Sequence, residues 1–126
     1  MILVFGGAYQ GKLDYVLENF DLSEKDVFKC ERDSMHLNFD RKVIYGLHNF
    51  IYCCVKEGFE ARDILEEHAE KLADKIIICD DISQGIVPLD KTERAWREAT
   101  GRCMVVLGKK ADRVIRVFCG LGMEIK

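Results

Sequence analysis

The sequence has little proline and no long apolar run. One proline in 126 residues excludes a proline-rich linker. No stretch approaches the roughly 20 apolar residues of a membrane helix, and the apolar run 2–5 has no basic stretch before it, unlike a signal peptide. A net charge of −3 gives no general reason to expect nucleic acid or an anionic membrane as a partner. We therefore predict a cytoplasmic protein that binds neither.

Zinc-type cysteine spacing is also missing. The chain has six cysteines but no Cys-x-x-Cys pair, so a zinc or thioredoxin-type site has little support. We expect the six to be reduced core residues: Cys30, Cys53, Cys54, Cys79, Cys103 and Cys119. The length and the 48% apolar content predict one globular domain over residues 1–126.

Short apolar runs alternate with helical periodicity along the chain. The expected strands are 2–5, 26–30, 42–45, 75–79, 113–118 and 123–125. The expected helices are 12–20, 47–57, 60–73 and a long one that ends near Lys110, after a capping box that starts at Asp90. This alternation predicts an α/β fold with a mostly parallel sheet flanked by helices in three layers.

The stretch "GGAYQGKL" after the first strand has the spacing of a phosphate-binding loop. Glycines let backbone amides point inward, a helix N-terminus adds its positive end, and a lysine reaches the outer phosphates. Lys12 is the candidate catalytic residue. The candidate nucleotide- or phosphate-binding residues are Gly6, Gly7, Ala8, Tyr9, Gln10, Gly11, Lys12 and Leu13. The spacing alone is equally compatible with a tight strand-to-helix turn.

Leu13 stands where a serine or threonine of such a loop coordinates Mg²⁺, and leucine has no oxygen to offer. The backbone of the loop can still bind an anion, but phosphoryl transfer then needs its metal held in another way. Asp80 and Asp81 follow a buried strand directly, at the sheet edge where α/β folds bind ligands. Asp81 is a second candidate catalytic residue, as a metal ligand or a base, and it can equally cap the turn 82–85.

The last 51 residues, from Ile76, resemble the C-terminal part of the adenosylcobinamide kinase/adenosylcobinamide-phosphate guanylyltransferase family. There an apolar strand leads to N-E-V-G-x-G-I-V-P, then to R-x-x-x-G-R on a helix and to A-D-x-V before a strand. The matching residues here are Gly85, Ile86, Val87, Pro88, Arg97, Gly101, Arg102, Ala111, Asp112 and Val114. The first strand and loop are similar to the family's I-L-V-T-G-G-A-R-S-G-K-S.

The resemblance implies a P-loop, RecA-like fold, with ATP or GTP at the strand C-termini, a corrinoid substrate and a ring-like homo-oligomer. Besides Leu13, Gly46 or Tyr45 falls where a carboxylate helps hold Mg²⁺, which puts that ion in question. The segment of the family's guanylylated histidine is shortened, and His36 is not given that role. We expect a cobinamide-kinase-like nucleotide-binding protein without guanylyltransferase activity. The alternative is a paralogue that binds nucleotide or anion as a regulatory or assembly protein.

Overall fold

A computed structural model describes residues 1–83, 85–86 and 90–126, so Val87 and Pro88 of the G-I-V-P match lie outside the described residues. The strands are β1 (Ile2–Gly6), β2 (Val27–Lys29), β3 (Val43–Tyr45), β4 (Ile76–Asp80), β5 (Arg113–Phe118) and β6 (Leu121–Glu124). The helices are α1 (Lys12–Asn19), α2 (Leu47–Glu57), α3 (Ala61–Glu67), α4 (Ala69–Leu72) and α5 (Lys91–Lys110).

The strands form one six-stranded sheet in the order β2-β3-β4-β1-β5-β6, parallel except where β6 pairs antiparallel with β5. Both faces of the sheet are covered, as continuous apolar strands require. In β4, Ile76 and Ile78 pack in a core with Val16 of α1, whereas Ile77 and Cys79 pack in the core shared with α2, α3 and α5. The predicted three-layer α/β fold is confirmed.

Three expectations about local structure need correction. The helix over 60–73 breaks at His68, whose Nδ1 lies 2.9 Å from the Ile64 carbonyl and whose ring stacks on Phe39. The last strand spans Leu121–Glu124, earlier than expected, because it pairs with β5 through a tight turn. Cys119 in that turn is exposed, while the other five cysteines are buried. All six are free thiols, and burial raises the pKa of Cys54 and Cys103 to about 12.

Helix α5 begins as the sequence predicts, since the Asp90 carboxylate accepts a hydrogen bond from the Thr92 amide at 3.1 Å. Arg97 holds the chain that follows β4, because its guanidinium donates to the carbonyls of Ile82, Ser83 and Ile86. This family-matched arginine is therefore structural. In the described part of the chain, no helix is both long enough and apolar enough to cross a membrane.

Candidate phosphate-binding site

The loop leaves the sheet at Gly6, the last residue of β1. A Cβ atom there would lie 2.3 Å from the carbonyl oxygen of Val117 in the neighbouring strand β5, so only glycine fits. On the other side Gly6 is in register with Asp80 at the end of β4. The loop therefore starts at the C-terminal edge of the sheet, between the ends of β4 and β5. Parallel α/β sheets bind ligands at this edge.

The loop ends at Gly11, which caps α1 in the left-handed conformation (φ +83°) without a side-chain hydrogen bond. No hydrogen bond within the described residues uses the amides of Ala8, Tyr9 or Gly11 as donors. The first amides of a helix have no partner inside the helix and carry its positive dipole end. The loop and α1 therefore present several free N–H groups to an anion.

Gln10 ties the loop to the β5–β6 turn. Its carbonyl accepts from the Gly120 amide at 2.8 Å, and its Oε1 accepts from the Cys119 amide at 2.7 Å. Tyr9, at the tip, has a left-handed backbone (φ 60°) and a fully exposed side chain. Sequence reasoning gave Gln10 no role of this kind, because the bond joins residues that are 109 positions apart.

Lys12 is buried, with only 5% of its surface exposed. Its Nζ donates to the Gly7 carbonyl at 2.6 Å and forms an ion pair with Asp80 Oδ1 at 2.8 Å. A buried ammonium group needs such partners, because an uncompensated charge in the interior is strongly destabilising. The ammonium group therefore lies below the loop, where it can meet a phosphate, and Asp80 is its present counter-ion.

The aspartate that pairs with Lys12 is Asp80, whereas the candidate catalytic residue from the sequence is its neighbour Asp81. Asp81 accepts hydrogen bonds from the amide of Ser83 at 3.1 Å and from its hydroxyl at 2.6 Å. Its own amide donates to the Gly6 carbonyl at 2.7 Å. These bonds tie Asp81 to the chain that follows it, as a turn cap would, while a role as base or metal ligand stays a prediction.

His48, near the start of α2, contacts Asp80 with both ring nitrogens. Its Nδ1 accepts from the Asp80 amide at 3.1 Å, and its Nε2 lies 3.4 Å from Asp80 Oδ2. The first contact requires an unprotonated Nδ1, so the ring is neutral with its proton on Nε2. Burial lowers the pKa of His48, and the charges of Lys12 and Arg32 lower it further, against the opposing effect of Asp80.

We expect His48 to make the protein less stable in mild acid. In the unfolded chain histidine protonates near pH 6.5, whereas folded His48 resists the proton because its pKa is lowered. The unfolded state then binds more protons, so the free energy of unfolding falls as pH drops below about 6.5. Urea denaturation at pH 7.5 and pH 5 should show a smaller fall for His48→Asn than for the wild type. His36→Asn, at an exposed site, is the control, and an equal fall in all three proteins would contradict the prediction.

The positions that the resemblance assigns to magnesium do not fit a protein-held ion. Leu13 is partly buried against the core beneath α1 and has no oxygen in its side chain. Gly46 has no side chain and caps α2 with φ +78°. Burial and the charge of Asp80 raise the pKa of Tyr45, which keeps its phenol protonated and a poor ligand.

The loop, α2 and the ends of β2 and β3 line an open cavity of about 560 Å³, which we call the loop cavity. Its lining includes Lys12, Asp80 and His48, with Lys29 and Tyr45 on the far side. Pockets that bind ligands of drug size have volumes of roughly 300 to 1,000 Å³. The loop cavity is therefore large enough for part of a nucleotide, with a buried cation at its base.

A parallel sheet whose central strand leads through a glycine loop into a helix identifies this chain as a P-loop NTPase-like α/β protein. A family model described as cobinamide kinase / cobinamide phosphate guanyltransferase matches residues 47–125, more than half of the chain, and the chain belongs to this family. Membership in this family supports a function of this protein related to cobalamin biosynthesis. A search of curated proteins found no match. The family match begins at the first residue of α2, so the assignment of the loop and Lys12 rests on their geometry.

Proposed function

We propose that this protein is a cobinamide-kinase-like nucleotide-binding protein, which takes the phosphates of ATP or GTP in loop 6–13 and phosphorylates a side-chain alcohol of a corrinoid. The observation that carries the proposal is the buried ammonium of Lys12 under a glycine loop, 2.6 Å from the Gly7 carbonyl and 2.8 Å from Asp80. The ammonium group opens onto the loop cavity. Family membership supports the corrinoid substrate.

In this proposal the free loop amides and the N-terminus of α1 hold the phosphate oxygens. Lys12 exchanges its contact with Asp80 for the transferring phosphoryl group and stabilises the charge that develops on it. The alcohol oxygen bonds to the γ-phosphorus as the bond from that phosphorus to the bridging oxygen breaks. The hydroxyl proton passes to a carboxylate, for which Asp81 is the candidate from the sequence and Asp80 the candidate from the geometry.

A second candidate is a protein that binds nucleotide or anion without turnover, in regulation or assembly. Two observations favour it: Leu13 provides no metal ligand, and Asp80 already neutralises Lys12. Neither candidate function includes guanylyl transfer. We further propose one domain over residues 1–126, a cytoplasmic location and a homo-oligomer, all of which stay predictions.

Thermal unfolding with nucleotide tests the binding that both candidates require. We expect ATP or GTP to raise the melting temperature equally in magnesium and in EDTA, because Leu13 cannot hold the ion. Ligand at 100 times its Kd stabilises the folded state by about 2.7 kcal/mol. Leu13→Ser should add stabilisation that requires magnesium, measured against the same variant without ligand. Leu13→Ala also loses packing but gains no oxygen, so it is the matched control and should show no such dependence.

An assay for phosphorylated cobinamide accompanies the melting curves. Product formed by the wild type supports the kinase, and a nucleotide shift without product supports the binding protein. If millimolar ATP and GTP leave the melting temperature of the wild type unchanged, both candidates are wrong. A wild-type shift that disappears in EDTA would show that magnesium is held in a way that the positions of Leu13 and Gly46 do not explain.

A further inference from the structure

The carboxylate of Asp80 lies between two nitrogen donors in the loop cavity. Lys12 Nζ is 2.8 Å from its Oδ1, and His48 Nε2 is 3.4 Å from its Oδ2. All three residues line the loop cavity. Carboxylate and phosphate groups both present neighbouring oxygens that accept from such donors. The carboxylate therefore occupies a position that a phosphate group can take. We call Lys12 Nζ and His48 Nε2 together the two-donor site.

The backbone of Asp80 fixes His48 as a donor at this site. Nδ1 accepts from the Asp80 amide at 3.1 Å, so the proton of the neutral ring is on Nε2. Trp96 Nε1 donates to the His48 carbonyl at 2.7 Å and holds the start of α2. Among the described residues Nε2 makes no hydrogen bond, only its longer contact with Asp80 Oδ2. Its N–H group is therefore available to an oxygen of a ligand in the loop cavity.

The side chain of Asp80 is the part of this arrangement that can turn. It is 21% exposed, compared with 4% for the side chain of Lys12 and 13% for that of His48. Asp80 also lines a second cavity, of about 200 Å³, to which Arg97 of α5 contributes a positive charge. The hydrogen bond from the Asp80 amide to His48 does not involve the carboxylate. A rotation of the Asp80 side chain therefore frees both donors and leaves the ring of His48 in place.

We infer that His48 binds the outermost phosphate of a triphosphate together with Lys12, and that Asp80 fills this two-donor site until the phosphate displaces it. The inference rests on the proposed function for the position of the nucleotide in loop 6–13, and it does not depend on turnover. His48 belongs to α2 and lies across the Asp80 carboxylate from Lys12. The phosphate that reaches it is therefore the one farthest from the nucleoside. His48 then distinguishes a triphosphate from a diphosphate, and Asp80 lowers the affinity for both.

Two substitutions of His48 separate the roles of its ring nitrogens. His48→Asn keeps an acceptor near the position of Nδ1 and loses the donor, whereas His48→Gln places an amide N–H group near the position of Nε2. The measurement is calorimetric titration with ATP and with ADP in EDTA at neutral pH. We expect His48→Asn to bind ATP at least about tenfold more weakly than the wild type, because a hydrogen bond to a charged phosphate is lost. Its affinity for ADP should be unchanged, and His48→Gln should keep most of the affinity for ATP. Unchanged ATP binding by His48→Asn, or an equal loss for ATP and ADP, would overturn the inference.

Asp80→Asn shows whether His48 acts on the phosphate or only on Asp80. If His48 bonds the phosphate, His48→Asn should weaken ATP binding by at least the same factor when Asp80→Asn is also present. A loss that disappears in the double variant would mean that His48 only holds the Asp80 carboxylate, which overturns the inference.

An inorganic probe and the cobinamide assay separate this inference from the proposed function. The expected effects of the His48 variants in a protein that forms no phosphorylated cobinamide support the two-donor site and count against the kinase. If ATP does not bind, tripolyphosphate and pyrophosphate replace ATP and ADP. The same effects with these probes support the two-donor site and count against the nucleotide. A wild type that binds neither ATP nor tripolyphosphate overturns both the inference and the proposed function.

Discussion

Replacing Lys12 by alanine is expected to abolish the stabilisation of this protein by ATP or GTP. The Lys12 ammonium is the buried cation at the base of the loop cavity, and a hydrogen bond to a charged group is worth about 1.5–3 kcal/mol. Losing such bonds to two phosphate oxygens weakens binding at least about 100-fold. The measurement is the shift in melting temperature as the triphosphate concentration is increased, each variant being compared with itself without ligand.

Asp80→Asn is the matched control for this experiment. It keeps Lys12 and removes the carboxylate that now pairs with it at 2.8 Å, so a triphosphate no longer competes with an internal anion. We expect tighter nucleotide binding, together with a less stable unliganded protein, because buried Lys12 loses its counter-ion. A Lys12→Ala protein that nucleotide still stabilises as well as it does the wild type would show that loop 6–13 is not the site. Weaker binding by Asp80→Asn would show that Asp80 assists the nucleotide instead of competing with it.

Periodicity predicted most of the fold because the strands and long helices are locally consistent. The bounds of α2 and of β5 agree with the sequence interpretation at both ends, since Gly46, Gly58 and the turn at Gly120 mark them. The break at His68 was missed because the pattern of apolar residues continues through it. At the break the ring of His68 lies against the Ile64 carbonyl and stacks on Phe39 from a distant segment, a contact that periodicity does not reveal.

The candidate site was predictable only in part, for a related reason. The glycine spacing predicted a loop between the first strand and the first helix, and the structure has one between β1 and α1, because that signal is contained in eight neighbouring residues. The pairing of Lys12 with Asp80 depends on the register in which Gly6 lies beside Asp80 across two parallel strands. Strand order and register come from tertiary structure, so the sequence could not decide which of the two adjacent aspartates meets the lysine.

Gly6→Ala should destabilise the protein more than any exposed substitution. The added Cβ would lie 2.3 Å from the carbonyl oxygen of Val117, and that oxygen belongs to the backbone of β5, which pairs with β1 on one side and β6 on the other. Neither strand can move without disturbing its other neighbour. Overpacking in a well-packed interior typically costs 1–3 kcal/mol, and here we expect a loss of about 3 kcal/mol in the free energy of unfolding. Urea denaturation measures this loss.

Two other glycines test whether the rigid backbone is the cause. A Cβ on Gly122 would also lie 2.3 Å from its neighbour, but that neighbour is the ring of Tyr15, which can swing away from an exposed edge strand. Gly122→Ala should therefore cost about 1 kcal/mol or less. Gly108 lies inside α5 with open space around it, and Gly108→Ala should stabilise the protein by about 1 kcal/mol through helix propensity. Equal losses for Gly6→Ala and Gly122→Ala would mean that β1 and β5 can separate at the loop, and the loop would then be less rigid than an anion site requires.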